Sequence, residues 1–193
     1  MKHNKKSVNF LFEAATLKRL QRTGWQILGG ANKESIAEHS FMVCVISFVL
    51  AQNLKVNLEK ILTMALFHDL SETRIGDIYK LADLYVKTDE KKARRDVFSN
   101  LSNDKNALNI LDEYDKKETL ESKLVHDADT LALILELKQM IENGNLNACD
   151  WLQANINCLK LKKSKELAKE METANSQDWW KKERKNLHSL MSK

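Results

Sequence analysis

Residues 66–77 read LFHDLSETRIGD, an apolar run that ends in an adjacent His68–Asp69 pair and goes on to carry Glu72, Arg74 and Asp77. Either an ordinary amphipathic helix is reaching its solvated end, or a helix is delivering ionisable groups to a buried site. The residues upstream establish the helix: NLEKILTMALFHDL (57–70) has apolar side chains three and four apart and an Asn57 suited to capping its first turn. Further upstream, IAEHSFMVCVISFVLAQN (36–53) is apolar nearly all round, which predicts a central buried helix, with Ser35 as its N-cap. The two segments should pack as a helical hairpin.

The rest of the chain extends this pattern. Its 193 residues contain no proline and only five glycines, so the strongest helix breakers are nearly absent, and 43% hydrophobic content suffices for a sizeable core. The expectation is an all-α helical bundle forming a single domain over 1–193. An amphipathic helix is predicted at 6–21, followed by an irregular RTGWQILGGANKES (22–35); 72–87 reads as irregular or short helix. Two polar-faced helices are expected at 88–101 and 103–117, a long helix from Glu118 to Gly144 as its C-cap, and further helices over 147–192 that pack on the core.

Composition also excludes several classes. No apolar stretch reaches 18 residues and the N-terminal segment is interrupted by Glu13, Lys18 and Arg19, so neither a membrane span nor a secretory signal is expected and a cytoplasmic location is the default. Cys44, Cys149 and Cys158 are odd in number and far apart, which fits small core residues rather than a disulfide framework. A formal charge of +4 is compatible with an anionic substrate and does not call for a stable nucleic-acid partner.

Three apolar helices each carry an imidazole, a carboxylate or both. His39 is flanked at helical spacing by Ile36, Met42, Val43 and Ile46; His68–Asp69 follows Met64, Ala65 and Phe67; Asp127 and Asp129 are embedded among Val125, Leu131, Ala132 and Leu133. A carboxylate buried without a partner costs several kcal/mol, so convergence on a shared site is the economical reading. Two imidazoles and two carboxylates suit one divalent ion such as Mn, Co, Zn, Fe, Ni or Mg, with positions left for water and substrate. Such an ion polarises a phosphoryl oxygen and generates a nucleophile near neutral pH. Periodicity does not separate Asp127 from Asp129, since both border apolar positions.

These residues resemble the HD-domain metal-dependent phosphohydrolases, whose signature is a His, an adjacent His-Asp pair and a distant Asp. The blocks LKRLQRTGW, ESIAEHS, FHDLSE, GDI and LVHDADTL, spanning 17–131, are similar to the small 5'-deoxynucleotidase branch. The resemblance implies His39, His68, Asp69 and Asp129 as metal ligands, Glu72 and Asp77 as catalytic groups, and Arg22 and Trp25 as substrate-binding residues. It further implies a nucleotide substrate and a homodimer, the latter also consistent with the adjacent Trp179 and Trp180 of a basic C-terminal helix. Relatives commonly carry a basic residue at Gly29, a proline within NKES and a proline after GD, so substrate range is where this chain is expected to diverge. The alternatives are an HD hydrolase of another phosphate ester or phosphodiester, and, in another class, a non-catalytic helical adaptor or nucleic-acid-binding protein.

Overall fold

A computed structural model describes residues 2–29, 34–101 and 104–191, with only the backbone of Lys2, His3 and Asp104; Asn103 and the 30–33 part of the predicted irregular segment lie outside the described residues. In chain order the helices are α1 (Lys2–Ala14), a single turn α2 (Trp25–Leu28), α3 (Ile36–Ala51), α4 (Leu58–Phe67), a second single turn α5 (Glu72–Ile75), α6 (Glu90–Phe98), α7 (Asp104–Lys116), α8 (Leu120–Glu142), α9 (Ala148–Cys158), α10 (Lys162–Thr173) and α11 (Lys181–Met191). Among the described residues the only β-type pairing is an isolated antiparallel bridge between Gln21 and Ser35.

The helix starts follow the local chemistry of the sequence. Ser35 and Glu38 form a reciprocal capping box at the head of α3, Asn57 accepts the Lys60 N–H at the head of α4, and Thr119 accepts the Ser122 N–H at the head of α8. Each bond satisfies a backbone donor that the first helical turn leaves without a partner. At its other end α8 stops at Asn143, with Gly144 beyond it at φ +92°, a conformation that favours glycine.

The long helix α8 is the axis, packed against α3, α4, α7, α9 and α10. Leu124, Val125, Ala128, Leu131, Ile134 and Leu137 of α8 meet Val43, Ile46 and Leu50 of α3 and Ile61, Met64 and Ala65 of α4 in one apolar cluster. A second cluster joins Phe10 of α1 and Leu17 to Ile36, Leu70, Val97, Phe98 and Leu111, with Phe67 edge-on to Phe98. Ile36 and Val43, on either side of His39, belong to different clusters, as do Ala65 and Leu70 on either side of His68. Both histidines therefore stand where the two cores meet.

Four expectations are corrected. The first helix starts earlier and ends at Ala14, followed by a 3-10 turn over Ala15–Lys18, because residues 20–22 are drawn out to pair with 34–36. Helix α3 is apolar all round yet buried on one side only: Phe41 is 64% exposed, and Val45, Phe48 and Val49 also face outward. Cys158 is exposed, whereas Cys44 and Cys149 are half-buried. Helices α9 and α10 pack on α8, but α11 has no buried residue.

Candidate functional site

His68 is the residue at which α4 ends. Its Nδ1–H donates to the Ala65 carbonyl one turn back at 2.9 Å, using a carbonyl that the helix end leaves open. That bond holds a proton on Nδ1, so Nε2 is the nitrogen that a neutral His68 offers to a ligand. Nε2 lies 3.1 Å from Asp69 Oδ2 and, though buried, makes no hydrogen bond among the described residues.

His39, fully buried on α3, places Nε2 at 2.9 Å from Asp129 Oδ1 of α8. The ligand atoms of His39, His68 and Asp129 all lie within 4.8 Å of one another. Asp69 stands at the edge of this group, its Oδ2 3.9 Å from His39 Nε2 and accepting from Arg22 at 2.9 Å. The structure thus separates the two aspartates of α8. Asp129 joins the imidazoles, while the Asp127 carboxylate accepts the backbone N–H groups of Lys160 and Leu161 at 2.8–3.2 Å and so anchors the start of α10. His126 stacks on Tyr114 with ring centroids 3.9 Å apart and bonds its carbonyl, away from the cluster.

The cluster borders, through Asp69 and Asp129, a cavity of about 560 Å³ whose lining also includes the charged Arg22, Glu72 and Asp77 and the apolar or aromatic Trp25, Tyr79, Leu81, Leu133, Leu137 and Trp151. Lys80 and Asn155 add two polar groups to its lining. This volume and mixed lining suit a small organic ligand with one strongly charged end.

Arg22 is brought in by backbone pairing: its N–H donates to the Glu34 carbonyl at 2.9 Å, and the Ile36 N–H donates to the Leu20 carbonyl at 2.9 Å. Its guanidinium spans Asp69 and, at 3.5 Å, Asp77. Burial disfavours its charge, but the surrounding Asp69, Asp129 and Asp77 outweigh that and hold it protonated more firmly than usual. Asp77 follows Gly76, whose φ of +75° lets the chain double back after α5. Its carboxylate accepts both the backbone N–H and the hydroxyl of Thr23, the latter at 2.7 Å. These bonds tie the Gly76–Asp77 turn to the turn that leads into α2.

Charge is distributed unevenly. Burial, then the neighbouring Asp69 and Asp77 carboxylates, push Glu72 up to about 10, and its Oε2 is buried with no partner among the described residues. Burial opposes charge on His68 too, but Asp69 and Asp129 reverse this and raise it to about 9. For Asp129, the hydrogen bond and charge of His39 overcome burial and bring it to about 2. Trp25 is nearly fully buried and donates its indole N–H to Glu34 Oε2 at 2.7 Å, so it is at once part of the core and part of the cavity wall.

Sequence reasoning missed Glu34, which lies one residue before the capping box and touches both Trp25 and the surroundings of His39. It also missed the α9 wall: Trp151 and Asn155 are four apart and share a helix face, but nothing in WLQANINCLK says that this face meets the cavity.

A helical bundle with histidine and aspartate donors gathered between α3, α4 and α8 defines a class of protein, and the comparisons give it a family. The HD domain family profile matches residues 14–175, and the chain belongs to that family. It is 28% identical over 141 residues to the 5'-deoxynucleotidase HDDC2 of Danio rerio, covering 70% of each chain. Among solved structures it resembles the PH0347 protein of Pyrococcus horikoshii, at 35% identity and a TM-score of 0.72, covering 86% of this chain and 98% of that one. It also resembles a conserved hypothetical protein of Pyrococcus furiosus, at 30% identity and a TM-score of 0.75, covering 86% and 99%.

Proposed function

We propose that the protein is a metal-dependent phosphomonoesterase that releases phosphate from 2'-deoxynucleoside 5'-monophosphates. The observation that carries this reading is the convergence of His39, His68 and Asp129 beside a cavity large enough for a nucleotide, which Asp129 and Asp69 line. The curated relatives named as 5'-deoxynucleotidases support the substrate class. The donor set fits one divalent ion: two imidazole nitrogens aimed at a common space and a carboxylate beside them, with Asp69 as the fourth ligand. When bound, the ion supplies Lewis-acid polarisation of the phosphate and activation of water.

The chain's own residues do the rest. Arg22 presents a planar guanidinium to the phosphate, exchanging part of its contact with Asp69 and Asp77 for the substrate's oxygens. Glu72 keeps its proton at neutral pH when the site is metal-free and, one turn beyond Asp69, is placed to pass a proton to the leaving 5' oxygen. Asp77, bonded to Thr23 through Oδ2 and 3.5 Å from Arg22 through Oδ1, holds the rim that carries them. Trp25 and Trp151 supply apolar walls for sugar and base.

The same reading includes a homodimer in the cytoplasm. Phe41, Val45, Phe48 and Val49 form an exposed apolar stripe along α3, a better candidate for self-association than the C-terminal pair, of which Trp180 is half-buried and bonded to Gln177. Among the described residues no helix is long and apolar enough to cross a membrane, and three unpaired cysteines suit a reducing compartment.

The test is phosphate release by metal-stripped protein reloaded with Mn or Co, measured as kcat/KM on matched deoxy and ribo monophosphates. We expect turnover of several deoxynucleotides, with differences among bases smaller than the difference between sugars. Equal values within each deoxy–ribo pair would remove the sugar preference; no release from any nucleotide would move the activity to another phosphate ester.

A further inference from the structure

Helix α3 begins with Ser35 as N-cap and Glu38 three residues on, the capping box that fixes the direction in which the chain enters the helix. In such a start the side chain just before the cap and the one at the fourth helical position are brought together, and both are usually apolar, forming a hydrophobic staple. Here those positions hold Glu34 and His39. Both are buried, with Glu34 Oε1 3.8 Å from His39 Nδ1 and Glu34 Oε2 accepting the Trp25 indole N–H at 2.7 Å. His39 Nδ1 makes no hydrogen bond among the described residues.

We infer that Glu34 is a positioning residue for His39, holding the imidazole in the tautomer that presents Nε2 to the metal and tying it, through Trp25, to the wall of the substrate cavity. The inference rests on the proposed reading of His39 as a ligand. A nitrogen that ligates a metal carries no proton, so the remaining proton of a neutral imidazole sits on Nδ1 and needs an acceptor in a space that excludes water. Glu34 Oε1 is the acceptor placed for it, less than an ångström beyond hydrogen-bond range in the metal-free arrangement. Trp25 Nε1–H and His39 Nδ1 face opposite oxygens of this one carboxylate, Oε2 and Oε1.

This geometry makes Glu34→Gln a sharp probe. Glutamine has the same shape but one acceptor oxygen, so it satisfies Trp25 or His39 and turns an amide N–H toward the other. The experiment titrates Co into metal-stripped protein by calorimetry and visible absorption, for wild type, E34Q, H39A, W25F and the W25F/E34Q pair, with circular dichroism reporting the fold of each. We expect E34Q to bind Co about 10- to 100-fold more weakly with an altered visible spectrum. Replacing Trp25 by Phe removes the competing donor, so W25F/E34Q should recover most of the affinity that E34Q loses relative to W25F. A merely structural role would make the two substitutions additive or worse, and additivity overturns the inference even where E34Q is poorly folded. Wild-type affinity in E34Q with loss in H39A also overturns it while leaving the ligand reading standing. Wild-type affinity in H39A would instead remove His39 from the metal site.

Discussion

His39 and Asp129 stand on helices of 16 and 23 residues and His68 caps a helix of 10, whereas Arg22, Thr23, Glu34 and Asp77 stand on segments that contain at most a single helical turn. The first group is the floor of the site and the second its rim, and Asp129, Arg22 and Asp77 bring the two to the cavity lining. Floor positions inherit their placement from backbone ladders and from two apolar clusters that meet around them. Rim positions are placed one bond at a time, by Arg22 N–H to Glu34, Thr23 to Asp77 and Trp25 to Glu34. A lost floor ligand leaves the scaffold intact and removes a metal bond; a lost rim bond shifts a segment and loosens the substrate. The two regions should therefore fail differently.

The largest effect is expected at the floor. His68→Ala and Asp129→Ala should each reduce metal content and phosphate release to background, while rim variants such as Arg22→Lys keep their metal. Metal analysis of the purified variants decides this, and a His68→Ala protein with a full complement of metal would erase the distinction.

Glu72 lies between floor and rim and tests where the boundary falls. Glu72→Gln should lower kcat by about 10²-fold or more with metal content near wild type; lost metal would move Glu72 into the floor. The same variant has a signature in the metal-free protein. A carboxyl raised from 4.5 to about 10 contributes stability that is fully present below its unfolded value and is lost as pH rises toward 10, so wild type is penalised at pH 8 and the Gln variant is not. Thermal unfolding at pH 5 and pH 8 should show the variant gaining on wild type at the higher pH. Other groups shape the rest of the profile. Asp129, lowered from 3.8 to about 2, contributes above 3.8 and loses that contribution as pH falls through 2. His68, raised from 6.5 to about 9, contributes below 6.5 and loses it as pH rises through 9. A ligand must also shed the His68 proton, so metal affinity should rise with pH up to about 9.

At the rim, Arg22→Lys keeps the charge and removes the fork that spans two oxygens. We expect KM for the monophosphate to rise by about 10-fold, one charge-assisted bond's worth, with a smaller change in kcat. A kcat loss matching that of Glu72→Gln would place Arg22 in the reacting centre rather than at its edge.

The difference between floor and rim also governs what the sequence disclosed. His39, His68–Asp69 and the α8 aspartates were visible because helical periodicity puts a polar group among apolar neighbours at a fixed angle, and such a group needs a reason to be there. Periodicity could not separate Asp127 from Asp129, because their roles diverge through tertiary partners, the α10 backbone for one and His39 for the other. Periodicity showed the rim only as an irregular stretch, and Arg22 and Asp77 came from the family resemblance, since pairing of Gln21 with Ser35 and the return of Asp77 to Thr23 involve contacts 14 and 54 residues apart in sequence. The outward face of α3 misled in the other direction: an all-apolar helix reads as fully buried, and only the fold shows Phe41 and Phe48 left on the surface. Glu34 had a local signal, a carboxylate and an imidazole flanking a capping box, which becomes readable once the staple positions are checked for polar pairs.

The smallest effect is expected farthest from the floor, at Asn155 on α9. Its Nδ2 donates to the Trp151 carbonyl at 2.8 Å, which fixes the amide and leaves the side-chain oxygen as an acceptor beside the cavity. An acceptor held in this way favours bases that present an N–H on the edge facing α9 and gives nothing to those that do not. Asn155→Ala should therefore compress the spread of kcat/KM among deoxynucleoside monophosphates by less than about 10-fold, the scale of one neutral hydrogen bond, without changing metal content or the rate on the poorest substrate. The measurement is kcat/KM for the four common bases in wild type and variant. An unchanged spread would take α9 out of base recognition and leave selectivity to the rim, while a uniform loss across all bases would show that Asn155 supports the wall on which Trp151 stands rather than reading the base.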